Sequence, residues 1–452
     1  MRETVPIAVP TSSPTIEPDT GPTSKPDAAP MLSPGGGPGH RRTESGPAAS
    51  ASVPVPASGR AAGRRARLGS RELVLSVIMR NEARCIERCL VSARPFVDRM
   101  VVVDTGSTDD SVARARAVGA DVHQIAWHDH FAAARNRALD LAGDYAYALV
   151  LDADEQLARG GELLRPFTIQ QHEAVHSRTA PLGVVRVDSV FEQDGRRQLA
   201  PSWLSRLLPA GVRYAGRIHE QPMGDRPRQR LDVIVGHDGY DVAPMLAKRG
   251  RNRRLLRAAL ADKPGDAYLL YQLGKDAAVQ GELAEAIDAF QQALLRTPRT
   301  ESFRLDLVLR TITCLKQARR LNDAFELVGA EHESWDASPD FHFLVGDLAL
   351  DCATVDPAHA VATFFPLIER HWLRALELGD RLDQEGAVLG RGSFLAAHNL
   401  AIYYQILGDT ARAAGYHALS RAMSDSAGVA PVAAANATAA ATTTATANAN
   451  AS

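Results

Sequence analysis

The chain has 452 residues, 45% of them hydrophobic and 23% charged, with a formal net charge of −2. At about 150 residues per domain this is room for two or three folded units, and the near-neutral balance excludes a global pull toward nucleic acid or anionic membrane. Four cysteines are too few for a disulfide framework and point to a reducing, cytoplasmic compartment. No stretch reaches the roughly 18 apolar residues of a transmembrane segment, and prolines interrupt the N-terminus before a secretory signal can form.

Residues 1–70 are rich in Pro, Ala, Gly and Ser. Such a composition buries too little apolar surface to offset ordering entropy, so a disordered tail is expected, ending in the solvated basic stretch Arg60, Arg64, Arg65 and Arg67. Strand and helix then alternate. Strands are predicted at Leu73–Met79, Arg99–Asp104, Ala120–Ile125 and Tyr147–Leu151. Helices are predicted at Ala83–Ala93, at Asp109–Val118 with Thr108 or Asp109 as its cap, and at Phe131–Ala142. This order implies right-handed crossovers and a largely parallel sheet, whose ligands gather at the carboxyl ends of the strands. Asn81-Glu82, Asp104–Ser107 and Asp152–Glu155 stand at those ends.

From about residue 243 the pattern turns helical. Leu273-Gly274, Ala286, Phe290, Ala293 and Pro298 fit the tetratricopeptide pattern, and further units begin at Leu305 and Pro339, 34 residues apart. The third carries Gly346 and Ala358 in register; an interruption near Leu373–Arg391 precedes a fourth pair through Leu400, Tyr404 and Ala413. The expected organisation is a tail at 1–70, an α/β domain at 71–242, an all-α repeat domain at 243–423 and an Ala/Thr/Asn-rich disordered tail at 424–452.

Two carboxylates flanking one residue at a strand end suit a divalent ion held against a diphosphate. Mg²⁺ and Mn²⁺ take oxygen ligands, and one or two carboxylates plus substrate phosphates suffice. Asp152 and Asp154, after Leu149-Val150-Leu151, meet that description. Asp104, followed by Thr105-Gly106-Ser107, is placed to accept from a base or ribose hydroxyl. No Gly-Lys-Ser/Thr follows it, which excludes a Walker loop, and no Gly-x-Gly-x-x-Gly follows the first strand, which argues against a nicotinamide dehydrogenase. On the third predicted helix, Phe131, Ala134, Ala138 and Ala142 make the apolar face, and Arg135 falls outside it as an exposed residue.

Ser76–Glu82 (SVIMRNE), Val101–Asp109 (VVVDTGSTD), Trp127–Asn136 (WHDHFAAARN) and Leu149–Glu155 (LVLDADE) follow in order. Together they resemble family 2 glycosyltransferases of the GT-A fold, and more narrowly the bacterial subgroup with C-terminal tetratricopeptide repeats related to peptide S-glycosyltransferases. The likeness runs from about Leu73 to Met423. It implies a GT-A domain with a Rossmann-like, mostly parallel sheet, and a nucleotide-diphosphate sugar donor, a UDP-sugar first among them. It further implies a Mn²⁺ or Mg²⁺ ion, inversion, and a peptide, protein or glycan acceptor taken up through the repeats. Glu82 and Asp104 would contact the nucleoside, Arg135 and Asn136 would lie near the donor, and Asp152 and Asp154 would be the metal motif. One position departs: relatives usually carry Asp or Asn before the Phe of the third motif, where this chain has His130, with Asp129 as a neighbour that compensates.

Arg213–Glu220 and His237-Asp238-Gly239-Tyr240 resemble the Gly-x-Ile-His-Glu and His-x-Gly-Tyr elements of the same subgroup. His219 can complete a metal shell as a neutral imidazole or bind diphosphate when protonated. Glu220 is the first candidate for the general base, and Asp188, read near the end of another apolar strand, is its rival. Two alternatives remain. A nucleotidyltransferase would need a Gly-rich phosphate loop with Arg or Lys after strand one, which Met79-Arg80-Asn81-Glu82 does not supply. A non-catalytic repeat scaffold is opposed by the intact Asp104, Asp152 and Asp154.

Overall fold

The computed structural model describes residues 71–193, 196–237 and 242–428, with the side chains of 191–197 and 242–249 left aside. The expected tail at 1–70 and everything after 428 lie outside these residues, as do Asp238, Gly239 and Tyr240.

Uninterrupted apolar runs make the inner strands. β1 (Leu73–Met79), β2 (Arg99–Asp104) and β4 (Tyr147–Asp152) are buried along nearly their whole length, as strands covered on both faces must be. β3 (Asp121–Gln124) joins β2 in parallel, β2 and β4 flank β1 in parallel, and the connections are the helices α1 (Ile86–Ala93), α2 (Ser111–Ala117) and α3 (Phe131–Leu141). β5 (Glu155–Arg159) and α4 (Leu164–Gln170) follow, then the long hairpin β6 (Leu182–Gln193) and β7 (Arg196–Pro209). A two-stranded ribbon, β8 (Tyr214–Ala215) with β9 (Gln221–Pro222), precedes β10 (Arg228–His237). The sheet order is β3-β2-β1-β4-β7-β6-β10-β5. β7 runs antiparallel to β4 and β6, and β5 antiparallel to β10, so the largely parallel half gives way to a mixed one.

α2 starts two residues later than its sequence suggests. Asp110 is its N-cap and makes no side-chain cap bond, while the Asp109 carboxylate accepts from the Ser111 amide at 3.0 Å and, through its other oxygen, from the Ala83 amide at 3.1 Å. Asp109 therefore ties the turn after β2 to the turn after β1 rather than capping the helix.

From Val242 the chain is helical. α5 (Val242–Asp262) leads into hairpins of α6 (Ala267–Val279) with α7 (Leu283–Leu294), and α8 (Arg304–Gln317) with α9 (Leu321–Trp335). α10 (Pro339–Val355) turns through the short α11 (Pro357–His359) and a π-helical segment at Ala360–Phe364 into α12 (Phe365–Leu378), and α13 (Phe394–Ile406) pairs with α14 (Thr410–Ser426). Close packing explains the repeat glycines: a Cβ on Gly274 would lie 2.4 Å from the Phe290 ring, and one on Gly346 would lie 2.5 Å from Trp372. The interruption begins at Gly379, later than the sequence pattern places it, because α12 continues through Leu378. α14 likewise extends to Ser426, past the expected start of the tail.

Two buried histidines join α10 to α12. His342 Nε2 is 2.9 Å from the Asp336 carbonyl, which can only accept, so that nitrogen carries the proton. His342 Nδ1 then accepts from His371 Nδ1 at 2.8 Å. His342 is therefore neutral in this arrangement. Burial and the neighbouring His342 hold the His371 imidazole down at about 3, and burial lowers His342 too. The unfolded chain takes up these protons near pH 6.5 and the folded chain does not, so stability is full above that pH and falls as the pH drops from about 6.5 toward 3. The expected loss is up to about 1.4 kcal/mol per pH unit for each histidine. Urea denaturation between pH 7 and 4.5 should show a shallower decline in His371→Leu than in the parent; equal slopes would refute the assignment.

Candidate active site

β2 and β4 flank β1 and end at the same edge, which brings Asp104 and Asp152 to the two sides of the turn at Arg80-Asn81-Glu82. The turns are laced together. Asn81, in the left-handed region at φ 56, donates its amide to Ser107 Oγ (2.8 Å) and accepts the Thr108 amide on Oδ1 (2.8 Å). The Glu82 amide donates to Ser111 Oγ at 2.7 Å, and the Glu82 carboxylate accepts from the Cys85 thiol at 3.3 Å.

Asp104 closes β2. It is fully buried, and its oxygens accept from the Gly106 amide (3.3 Å), the Ser107 amide (3.1 Å) and Gln124 Nε2 (3.3 Å). The carboxylate shapes the loop that follows β2. Asn136 is likewise held by backbone groups. Its amide donates to the Tyr214 carbonyl (3.0 Å) and accepts from the Tyr214 amide (2.8 Å), clamping β8 against α3.

The centre of the site is a buried ion network. Arg135, expected on the exposed face of α3, is only 6% exposed. Its Nη2 donates to Asp152 Oδ1 (2.5 Å), its Nε to Glu220, and its guanidinium lies 5.5 Å from the Tyr214 ring centroid. Arg206, from β7, donates to Asp152 Oδ2 (2.7 Å) and to Glu155. The Asp152 amide donates to the second Glu155 oxygen at 2.9 Å. Burial alone would raise the Asp152 carboxyl, but the charges of Arg206 and Arg135 hold it far below the ordinary range. Burial, eased by Arg206 but reinforced by the charge of Asp152, pushes Glu155 up to about 7. Arg135 Nη1, Arg206 Nε and the Tyr214 hydroxyl are buried here without hydrogen-bond partners.

Asp152 and Asp154 therefore differ in kind. Asp152 is pinned by two guanidinium groups. Asp154, in the turn after β4, lies 3.6 Å from His237 Nε2 at the end of β10. The β5–β10 pairing sets His237 opposite Glu155, and Ser189 Oγ holds the other ring nitrogen at 3.3 Å. The Asp154 carboxylate beside it raises the His237 pKa, against the effect of burial. His219 sits at φ 51 in the turn before β9, and burial, together with the charge of Lys275 of α6, lowers it to about 4. It is a neutral imidazole, the form a metal ligand takes, and His237 is the histidine in direct contact with the Asp152–Asp154 motif.

Asp188 lies in the middle of β6 rather than near its end. Arg186 donates to its Oδ2 at 2.8 Å, and Oδ1 is buried without a partner. His130 takes over the position where Asp or Asn is usual by the same physics: its Nδ1 accepts the Ala133 amide at 3.2 Å and caps α3. Asp129 is bound to Trp127 Nε1 (2.8 Å) and, by two bonds, to Arg254 of α5 (2.8 and 3.0 Å), fastening this loop to the helical part. Sequence reasoning missed Arg206; the available signal was a single arginine inside the apolar run Trp203–Leu208.

A divalent ion is tested here by the donor set. Among the described residues no three His, Cys, Asp or Glu side chains converge as a metal site. Asp154 and His237 are two compatible donors, and two protein ligands fit an ion that fills its shell with diphosphate oxygens and water.

Residues 75–175 match the model of glycosyl transferase family 2. A TPR repeat-containing protein of Synechococcus elongatus is 32% identical over 254 residues, 52% of this chain and 60% of that protein. The SPbeta prophage-derived glycosyltransferase SunS of Bacillus subtilis is 24% identical over 233 residues, 49% of this chain and 53% of SunS. The chain thus spans between half and two thirds of the length of these curated relatives. MamA from Desulfovibrio magneticus RS-1 aligns over 41% of this chain and 90% of its own, at 15% identity and a TM-score of 0.32. Among the described residues no helix is long and apolar enough to cross a membrane. The chain carries a family 2 glycosyltransferase domain of the GT-A type, matched over residues 75–175, followed by tetratricopeptide-type helical repeats.

Proposed function

We propose that the chain transfers a sugar from a nucleotide-diphosphate donor, a UDP-sugar, to a nucleophile on a peptide or protein, with inversion at the anomeric carbon. The observation that carries this reading is the carboxylate pair at the end of β4, with Asp152 pinned by Arg135 and Arg206 and Asp154 turned toward His237. Asp154 and His237 would hold a Mn²⁺ or Mg²⁺ ion, whose positive charge favours departure of the nucleotide diphosphate.

The chain's own residues do the rest. Arg135 Nη1, buried and unpaired, is a donor available to an anionic group entering the site. Arg135 also fixes Glu220 through one carboxylate oxygen. Glu220 takes the proton of the acceptor hydroxyl or thiol as the acceptor atom bonds to the anomeric carbon and the bond to the diphosphate breaks. Asp188 is the rival base, and Glu220→Gln and Asp188→Asn distinguish the two. Stacked helical hairpins build curved grooves, which suits an extended acceptor. We take residues 71–242 as the transferase domain and 243–423 as the repeats. We place the chain in the cytoplasm, where the buried thiols of Cys85, Cys89, Cys314 and Cys352 stay reduced.

The test is incubation of the purified chain with a panel of nucleotide sugars and Mn²⁺, recording release of nucleotide diphosphate. Release with at least one donor is expected. If no donor is hydrolysed and none raises the melting temperature, the reading fails.

A further inference from the structure

The segment between α12 and α13, residues 379–393, breaks the hairpin pattern and has no part in the chemistry above. It is a closed loop. Asp380 Oδ1 accepts from the amides of Gly390 (3.1 Å) and Gly392 (2.9 Å), and Oδ2 from the Ser393 hydroxyl (2.6 Å). A Cβ on Gly392 would lie 2.3 Å from the Gly379 backbone, so the two ends touch and only glycine fits.

One side of the loop lies on α8 and α10, the first helices of successive hairpins, which form the inner face of such a stack. Gly386, at φ +83, rests on α8: a Cβ there would be 2.9 Å from the Asp306 Cα. The Val388 amide donates to Asp340 Oδ1 of α10 at 2.9 Å. Arg391 reaches the same oxygen at 3.3 Å and lies 5.7 Å from the Phe343 ring centroid. Asp340 is 2% exposed, and Ala387 and Val388 are buried against this face. Glu385 lies in the field of Asp306, Lys275 and Arg310.

The other side of the loop holds the transferase. The Leu382 carbonyl accepts from Trp203 Nε1 (2.8 Å), and the Asp383 carbonyl from Arg230 (3.0 Å), which stacks 4.4 Å from the Trp203 ring centroid. The Leu389 amide donates to the Leu199 carbonyl at 3.0 Å. Leu199 and Trp203 belong to β7, the strand that also carries Arg206 to Asp152. These contacts are mostly backbone groups, the kind any extended chain can supply.

We propose that residues 380–391 are a resident ligand of the repeat groove. They cover the face on which an extended peptide would lie and fasten β7 to the repeats. An external peptide with the same acidic–small–small–aliphatic order as Glu385-Gly386-Ala387-Val388 competes for that face, and its binding frees β7. Tethering gives the resident segment an effective concentration of order millimolar, which protects it in the parent chain.

The test uses the full chain and a labelled synthetic peptide reproducing residues 380–391. Glu385→Lys sets a like charge beside Lys275 and Arg310, and Gly386→Val drives a side chain into Asp306. In either variant, hydrogen exchange of 379–393 and of 196–209 should rise together by about tenfold or more. The same variant should bind the peptide about tenfold more tightly than the parent does. The proposal is overturned if both variants keep the loop protected, or if the loop opens while 196–209 is unchanged. It is equally overturned if an opened variant does not take the peptide. Loss of the cooperative melting transition in both variants would also overturn it, because a displaceable ligand is not required for the fold. Neither readout depends on transferase activity.

Discussion

Replacing Arg206 with methionine is expected to cost about 3–5 kcal/mol of folding stability, the range for removing one partner of a buried ion pair. Arg206 is 7% exposed and bonds two carboxylates at once, Asp152 and the 3% exposed Glu155. Methionine fills much of the volume, so the loss reflects unpaired charge rather than a cavity. With Arg206 present, burial and the charge of Asp152 already raise Glu155 to about 7, from 4.5. Without it, Glu155 rises further and the folded chain holds a proton that the unfolded chain has released. Below about pH 7 Glu155 is protonated in both folded chains, so the penalty grows as the pH climbs above about 7 and is smallest in acid. Urea denaturation at pH 5.5 and pH 8 measures this directly. A loss below about 1 kcal/mol at pH 8, or a larger loss at pH 5.5 than at pH 8, would show that Arg206 is not the counter-charge of this network.

Some of this molecule was legible in its sequence. Leu73–Met79 and Arg99–Asp104 form strands with the bounds their apolar runs suggest, because a strand buried on both faces has no polar interruption to blur its ends. Gly274 and Gly346 mark repeat positions because a ring packs where their side chains would be. The counter-charges were not legible. Arg135 is polar at a position that helical periodicity assigns to solvent, and it is buried because Asp152 and Glu220 arrive from β4 and from the turn before β9. Only the sheet order, with β7 next to β4, brings Arg206 to Asp152 across 54 residues of sequence. His219 and His237 are similar as letters. They are placed by topology, since β10 returns beside β5 and carries His237 to Asp154, while His219 stands in the turn before β9. The closed loop at 379–393 has no periodic signal at all, and its placement follows from Asp380, Asp340 and Asp306, which belong to three different segments.

Asp152 and Asp154, two residues apart, are expected to respond in opposite ways to the same substitution. Asp154→Asn removes a charge that faces His237 but leaves both arginines paired, so folding stability should stay within about 1 kcal/mol of the parent. Donor-dependent release of nucleotide diphosphate should nevertheless fall by about 10²–10³, the scale for losing one group that stabilises departing charge. The rise in melting temperature produced by Mn²⁺ with a nucleotide diphosphate should vanish in the same variant. Asp152→Asn instead leaves Arg135 and Arg206 facing a neutral amide in a buried site, and should lower stability by several kcal/mol whether or not any donor is present. Calorimetry of both variants with and without Mn²⁺ and UDP separates the two effects. Full activity and an intact Mn²⁺ response in Asp154→Asn would remove the ion from this carboxylate. Native stability in Asp152→Asn would mean that the two guanidinium groups find other partners, and that Arg135 is then free to meet the diphosphate on its own.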